Sequence, residues 1–266
     1  MGDFDRVLAA RSAERPTGLQ FFSAMFSEFM ELHGDRRFGD DPAIVGGIGR
    51  LNGMAVTAIC TEKGRTTRDK VRRNFGSAHP EGYRKALRLM KQAEKFGRPI
   101  ICLIDTSGAF CGLEAEERGQ GQAIAENLLE MMTLRVPIVS VITGEGGSGG
   151  ALALAVADTV WMLENGAYSV ISPEGCASIL WKNAAEKETA AEHLALTAEK
   201  LLPLGIIDRI IAEDEPMEQV MKKLGCLLYQ EIQRLSAMRV EDLLEARYQR
   251  FRQIGTDKIQ KGTEEL

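Results

Sequence analysis

From Gly144 to Gly150 the chain reads Gly-Glu-Gly-Gly-Ser-Gly-Gly, five glycines in seven residues. An apolar run, Pro137 to Thr143, precedes it, and another, Ala151 to Ala157, follows. So many glycines cost chain entropy unless the backbone must do something that a side chain would prevent. After a strand and at the start of a helix, main-chain N–H groups lack intrahelical partners and sit in the positive end of the helix dipole. That placement suits an oxyanion, a phosphate or a developing enolate.

Three other readings compete. Gly146-Gly147-Ser148-Gly149-Gly150 fits G-x-S-x-G, the nucleophile elbow of serine hydrolases, with Ser148 as nucleophile. That chemistry needs an acid and then a histidine downstream, and the one downstream histidine, His193, lies inside an amphipathic stretch. A dinucleotide fingerprint would need an acidic residue ending a strand about 20 residues on, and none is there. Close packing of a helix on a sheet accounts for one or two glycines and leaves the rest unexplained.

A second loop, Asp105-Thr106-Ser107-Gly108-Ala109-Phe110-Cys111-Gly112, follows another apolar strand. Loops at strand ends are where open α/β sheets bind ligands, so the two loops would supply two halves of one site. Gly108, Ala109, Gly112, Gly146 and Gly147 are candidate substrate contacts. Cys111 has no histidine near it in sequence, and a small residue in a tight loop is the simpler reading. Arg118, in the acidic segment Glu114 to Gln120, is a candidate contact for an anionic group or a salt-bridge partner. Lys63, Arg65, Arg68, Lys70, Arg72 and Arg73 fall within eleven residues, with Asp69 the only acid among them. Such a run is usually a solvated face. Lys63, Arg65, Arg72 and Arg73 are the candidates for phosphate or interface contacts.

These segments need a scaffold. The spacing predicts a helix over Leu19 to Leu32, and a hairpin of Ala43 to Gly49 with Met54 to Cys60 around Asn52-Gly53. It predicts a helix from Pro80 to Phe96 stopped by Gly97, a buried strand from Pro99 to Ile104, and a long helix from Ala115 to Leu134. A second buried strand, Pro137 to Thr143, leads through the glycine turn to a helix over Ala151 to Ala157. Further strands are expected at Val160 to Leu163, Ser169 to Ile171 and Gly205 to Ile211. Helices are expected over Pro173 to Ala185, Ala190 to Leu201, Pro216 to Leu235 and Val240 to Gln253, with a frayed end from Thr256. The alternation implies an α/β domain with parallel strands, residues 1–214 with their N-terminal helix, followed by a helical extension, 215–266.

Bulk properties narrow the class. The chain has 266 residues, 44% hydrophobic, with a formal charge of −5. A global nucleic-acid footprint is not expected. The odd set Cys60, Cys102, Cys111, Cys176 and Cys226 has no C-x-x-C pair, which argues against a disulfide framework and against a metal site in this chain. No signal peptide is read at the start, and the longest apolar run is far short of the roughly 20 residues a bilayer span needs. A cytoplasmic protein without membrane contact is expected.

Several motifs occur together: Lys63-Gly64-Arg65, Arg72-Arg73-Asn74-Phe75-Gly76, Pro80 to Ala86, Glu116 to Gln120, Gly144 to Ala151 and Ser172-Pro173-Glu174-Gly175. From about Leu19 to Ile211, and more loosely through Tyr248-Gln249-Arg250, the chain resembles the α subunits of acetyl-CoA carboxylase carboxyltransferase. The resemblance implies a crotonase-like fold of stacked ββα units. It implies transfer of a carboxyl group from carboxybiotin on a biotin carboxyl carrier protein to acetyl-CoA, giving malonyl-CoA for fatty-acid synthesis. It also implies an α₂β₂ assembly whose β subunit carries zinc, a biotin carboxylase that uses ATP elsewhere in the complex, and no cofactor held tightly by this chain. On the residues, it implies that the amides of Gly149 and Gly150 hold the urea oxygen of biotin, while β serves the thioester oxygen. The family usually has proline at the positions of Ser107 and Cys111, so another acyl-CoA, or a biotin-dependent decarboxylation, is the alternative. A non-catalytic scaffold and a serine hydrolase using Ser148 are more distant.

Overall fold

The computed structural model describes residues 1–256. Among them a single sheet has eight strands: β1 (Phe29–Glu31), β2 (Ile44–Leu51), β3 (Met54–Thr61), β4 (Ile100–Thr106), β5 (Ile138–Gly147), β6 (Thr159–Leu163), β7 (Ala167–Ser169) and β8 (Arg209–Ile211). The order is β1-β2-β3-β4-β5-β6-β8, and β7 pairs with the far end of β5. β1, β2 and β3 are antiparallel neighbours, and from β3 onward the pairings are parallel. The expected hairpin closes at Leu51↔Met54, with Asn52 and Gly53 both at positive φ, as a two-residue hairpin turn requires.

The helices are α1 (Asp3–Ala10), α2 (Gly18–Met25), α3 (Thr67–Arg72), α4 (Pro80–Lys95), α5 (Leu113–Glu117), α6 (Gln120–Met131), α7 (Ser148–Leu152), α8 (Pro173–Trp181), α9 (Lys187–Leu194), α10 (Ala198–Leu201), α11 (Met217–Ser236) and α12 (Val240–Gln253). Successive strand residues face opposite sides, and both sides are apolar. Ile100, Cys102 and Ile104 of β4 pack with Leu89 and Met90 of α4 and Ala123 of α6. Ile101 and Leu103 pack with Phe21 and Phe22 of α2 and Leu224 and Leu228 of α11. The architecture is a mixed α/β sheet layered between helices.

Several expected elements are shorter or broken, each for a local reason. The helix expected over Leu19 to Leu32 stops at Met25. Phe29–Glu31 is instead an edge strand, seated where Gly47 leaves room for the main chain at Met30. The long helix of Ala115 to Leu134 divides at Gly119, whose φ of 83° ends α5 and starts α6. The helix expected over Ala151 to Ala157 is only α7. Beyond it the buried carbonyls of Ala153 and Leu154 accept bonds from the side chains of Asn127 and Ser140, where a longer helix would have bonded them internally. β5 does not stop at Thr143 but continues through Gly147. Lys182 and Ala195, both at positive φ, cut the two helices expected between Pro173 and Leu201, and the strand expected at Ser169 to Ile171 lies two residues earlier, as β7. Of the expected frayed end, residues 257–266 lie outside the described part.

The C-terminal helices lie against the sheet. Gly225 of α11 packs on Met25 of α2. Arg247 of α12 is fully buried. Its guanidinium pairs with both carboxylate oxygens of Asp158 at 2.8 and 2.9 Å, and donates to the carbonyls of Met131, Leu134 and Val136. All five donors of the fork are used. Removing one partner of a buried pair strands the other charge. Arg247→Met is therefore expected to cost about 3–5 kcal/mol in urea denaturation. A loss below about 1 kcal/mol, the scale of an exposed pair, would show that the pair does not hold α12.

Candidate functional site

The glycine segment is two structures. Gly144 to Gly147 form the end of β5, and Ser148 to Leu152 form α7, with Gly147 as its N-cap. Steric contacts explain four of the five glycines, more than the sequence reading granted to close packing. A Cβ at Gly144 would lie 2.3 Å from an Asp105 carboxylate oxygen, and one at Gly146 would lie 2.8 Å from the Tyr168 ring. A Cβ at Gly147 would meet the Ser107 carbonyl at 2.1 Å, and one at Gly150 would meet the Ala109 nitrogen at 2.4 Å. At Gly149 the nearest atoms are the Ile124 methyls at 3.7 Å, an ordinary contact. Packing does not require a glycine there.

The second loop therefore lies directly on the first, but Gly108, Ala109 and Gly112 do not line the cleft onto which Gly149 opens. Gly108 has φ 149°, in the region that favours glycine, and with Ala109 it covers Gly150. Gly112 caps α5 against the Phe110 ring. Gly149 and Ser148 open onto a cleft of about 460 Å³. Its wall is mainly apolar: Leu152, Ala155, Val160, Tyr168, Leu201 and Phe251 contribute, and Arg250 is also part of the lining. Gly150 is buried and does not line it, so the two amides singled out by resemblance occupy different surroundings.

Nucleophilic chemistry finds no support. Ser148 is exposed, with φ 49°, a left-handed conformation that costs a non-glycine residue about 1–2 kcal/mol. The three histidines are engaged elsewhere: His33 with Asp40, His79 with Asp41 and against Phe110, His193 beside Trp181. Cys111 is a free, exposed thiol. Burial pushes the Tyr168 hydroxyl in the cleft wall up to about 12, and raises Tyr83 beneath the turn, so both keep their protons at neutral pH. Among the described residues no group of three or more His, Cys, Asp and Glu is placed to hold a metal.

The predicted basic residues are mostly tied into the fold. Arg118 donates to Glu81 at 2.6 Å and lies over the Phe38 ring, away from the cleft. Arg73 is buried on Asp69 and the Pro42 carbonyl, and Arg72 is an exposed partner of the same Asp69. Lys63 pairs with Asp105 at 2.6 Å. Arg65 is exposed on a small recess it shares with Arg11, Arg15, Lys63 and Lys70.

Sequence reasoning missed the charged groups beneath the turn. Asp105 ends β4 and accepts the Glu145 N–H at 2.8 Å. Arg11, in the turn after α1, holds Glu145 and Glu174 together, each at 2.8 Å. Burial pushes the Glu174 carboxyl up, but the Arg11 hydrogen bond, a main-chain hydrogen bond and the charges of Arg11 and Lys187 together outweigh it, and the net shift is downward. Arg15 donates to the Thr143 carbonyl and pairs with Glu213. A carboxylate at the end of the fully apolar run Ile100 to Ile104 was the one signal that could have found Asp105.

A family model described as acetyl co-enzyme A carboxylase carboxyltransferase-like matches residues 1–255. The acetyl-coenzyme A carboxylase carboxyl transferase subunit alpha of Clostridium acetobutylicum is 56% identical over 257 residues, covering 95% of this chain and 94% of that one. The protein of the same description from Streptococcus thermophilus is 57% identical, covering 95% and 99%. Among solved structures, a Pseudomonas malonate decarboxylase hetero-tetramer aligns with TM-score 0.69 at 17% identity, covering 93% of this chain and 98% of that one. A transcarboxylase 12S chain aligns with TM-score 0.67 at 18% identity, covering 83% and 42%. These distant likenesses show the shared crotonase-like fold, and the match along nearly the whole chain shows more: the chain belongs to the family of acetyl-CoA carboxylase carboxyltransferase α subunits.

Proposed function

We propose that this chain is the α half of a carboxyltransferase that moves a carboxyl group from carboxybiotin, on a biotin carboxyl carrier protein, to acetyl-CoA, forming malonyl-CoA for fatty-acid synthesis. The observation that carries the reading is Gly149, a glycine that packing does not demand, standing at the mouth of an apolar cleft. The fit of the ligand is consistent: a cleft of about 460 Å³ with mainly apolar walls suits the ring and aliphatic chain of biotin. When bound, carboxybiotin supplies the carboxyl group and, after giving it up, the base for the acetyl methyl proton. The residues here then need only bind and orient. The amides at the start of α7, Gly149 foremost, offer hydrogen bonds to the urea oxygen as negative charge develops there. Tyr168, protonated at neutral pH, contributes shape to the wall and takes no proton. Gly150, buried under Ala109 and off the cleft surface, holds the turn that presents Gly149.

The remaining parts of the reading are a β subunit in an α₂β₂ assembly, carrying zinc and the thioester site, a biotin carboxylase in the same complex, and a cytoplasmic location. Consistent with the last, no helix among the described residues is long and apolar enough to cross a membrane. Lys63, Arg65, Arg72 and Arg73 remain candidates for phosphate or interface contacts, and of these Arg65 and Arg72 are the exposed ones.

Reconstitution tests this reading. The chain with a zinc-bearing β subunit, carboxybiotin carrier and acetyl-CoA is expected to form malonyl-CoA, and the chain alone to run at no more than about a hundredth of that rate, because half of the aligned site is missing. Equal rates with and without β contradict it, and a higher kcat/KM on propionyl- or glutaconyl-CoA than on acetyl-CoA moves the substrate to the alternative acyl group. Ser148→Ala is expected to stay within about threefold of the parent rate, whereas loss of a nucleophile costs many orders of magnitude.

A further inference from the structure

Between Ile104↔Ile142 and Thr106↔Gly146 the pairing of β4 with β5 advances two residues on β4 and four on β5. Thr143, Gly144 and Glu145 thus stand opposite the single residue Asp105. This β-bulge turns β5 out of line: its first part, Val139 to Ile142, pairs with β6, and its last part, Glu145 to Gly147, pairs with β7. Bulges redirect a strand and leave ladder groups without partners.

Two main-chain groups of β5 at this bulge are taken by side chains that belong to ion pairs. The Glu145 N–H donates to the Asp105 carboxylate at 2.8 Å, and Lys63 neutralises that carboxylate at 2.6 Å. The Thr143 carbonyl accepts from Arg15, which pairs with Glu213. Asp105 is 6% exposed, and its carboxylate occupies the space that a Cβ at Gly144 would take. The carboxylate therefore fills the bulge and also replaces its missing ladder bond.

We propose that Asp105 is a positioning residue for carboxyl transfer: by accepting the Glu145 N–H it sets the bulge that aims the end of β5, and with it the Gly149 amide, at the cleft. This rests on the reading of Gly149 as an oxyanion donor. The role needs an acceptor atom more than a charge. Asp105→Asn keeps an oxygen for the Glu145 N–H, and Asp105→Ala removes it. A misplacement near 1 Å at a reacting centre costs on the order of a hundredfold in rate.

The test uses the α chain reconstituted with its β subunit, following malonyl-CoA formation, with thermal melts on each variant. Asp105→Ala is expected to lower kcat on the order of a hundredfold while KM for acetyl-CoA moves less than about threefold, and Asp105→Asn to keep kcat within about fivefold. Gly144→Ala, which displaces the carboxylate without removing it, is expected to lower kcat likewise. The double variant should be no slower than the slower single one, since both lesions break one contact. Gly149→Val, which alters the cleft mouth and leaves the bulge intact, is the control. If Gly149→Val abolishes turnover while Asp105→Ala and Gly144→Ala stay near the parent rate, the role of Asp105 is overturned and the reading of the turn stands. If Gly149→Val turns over normally, the reading of the turn fails first. Equal losses in Asp105→Asn and Asp105→Ala overturn the acceptor role, and the Gly144→Ala result decides the case if Asp105→Ala does not fold.

Discussion

Two stretches of main chain pass so close at the ends of β4 and β5 that the one running from β5 into α7 cannot carry a side chain at Gly147 or Gly150, where they cross. Residues 107–109 lie on Gly147 and Gly150 at distances where a Cβ would overlap backbone atoms. Backbone atoms on both sides can shift only with the strands that hold them, so this contact fixes where β5 ends and where α7 begins. The cleft, its opening at Gly149 and the left-handed Ser148 follow from it. Helix packing then supplies the walls: α7, α10 and α12 contribute Leu152, Leu201 and Phe251. The buried fork of Arg247 holds α12 in place.

The contact needs charges beneath it because a bulged strand has polar groups that water cannot reach. Asp105 and Arg15 satisfy them, and Lys63 and Glu213 neutralise those two in turn. Ion pairs this far from water, Arg15–Glu213 above all, are weak evidence for stability, since desolvation offsets most of their attraction. Their value here is geometric. Arg11 extends the arrangement by joining Glu145 at the bulge to Glu174 at the start of α8, so α1, α8 and β5 converge beneath the turn.

Much of the frame was legible from residues alone. The two-residue hairpin at Asn52-Gly53, the stop of α4 at Gly97, the parallel core strands and α12 at Val240–Gln253 came from periodicity and turn chemistry. What was not legible depends on tertiary contacts. A glycine-rich segment looks like a turn, so the continuation of β5 to Gly147 and its pairing with β7 left no mark in the pattern. Gly119 broke a helix whose apolar spacing runs straight through it. Phe29–Glu31 reads as helix until Gly47 opens a place on the sheet edge. The site was half legible. The glycines pointed to a backbone-lined anion site, but only their tertiary contacts separate the four that packing demands from the one it does not. The match along residues 1–255 shows the family, and the chemistry proposed for that one glycine comes from the resemblance carried by the motifs.

A crystal structure of the α and β chains together with a biotinylated carrier tests the account most directly. The account predicts the biotin ring in the apolar cleft, with its urea oxygen about 2.7–3.1 Å from the Gly149 nitrogen, the range of a working oxyanion contact. A ring bound outside the cleft, or a urea oxygen held by side chains with the Gly149 amide facing away, would contradict it.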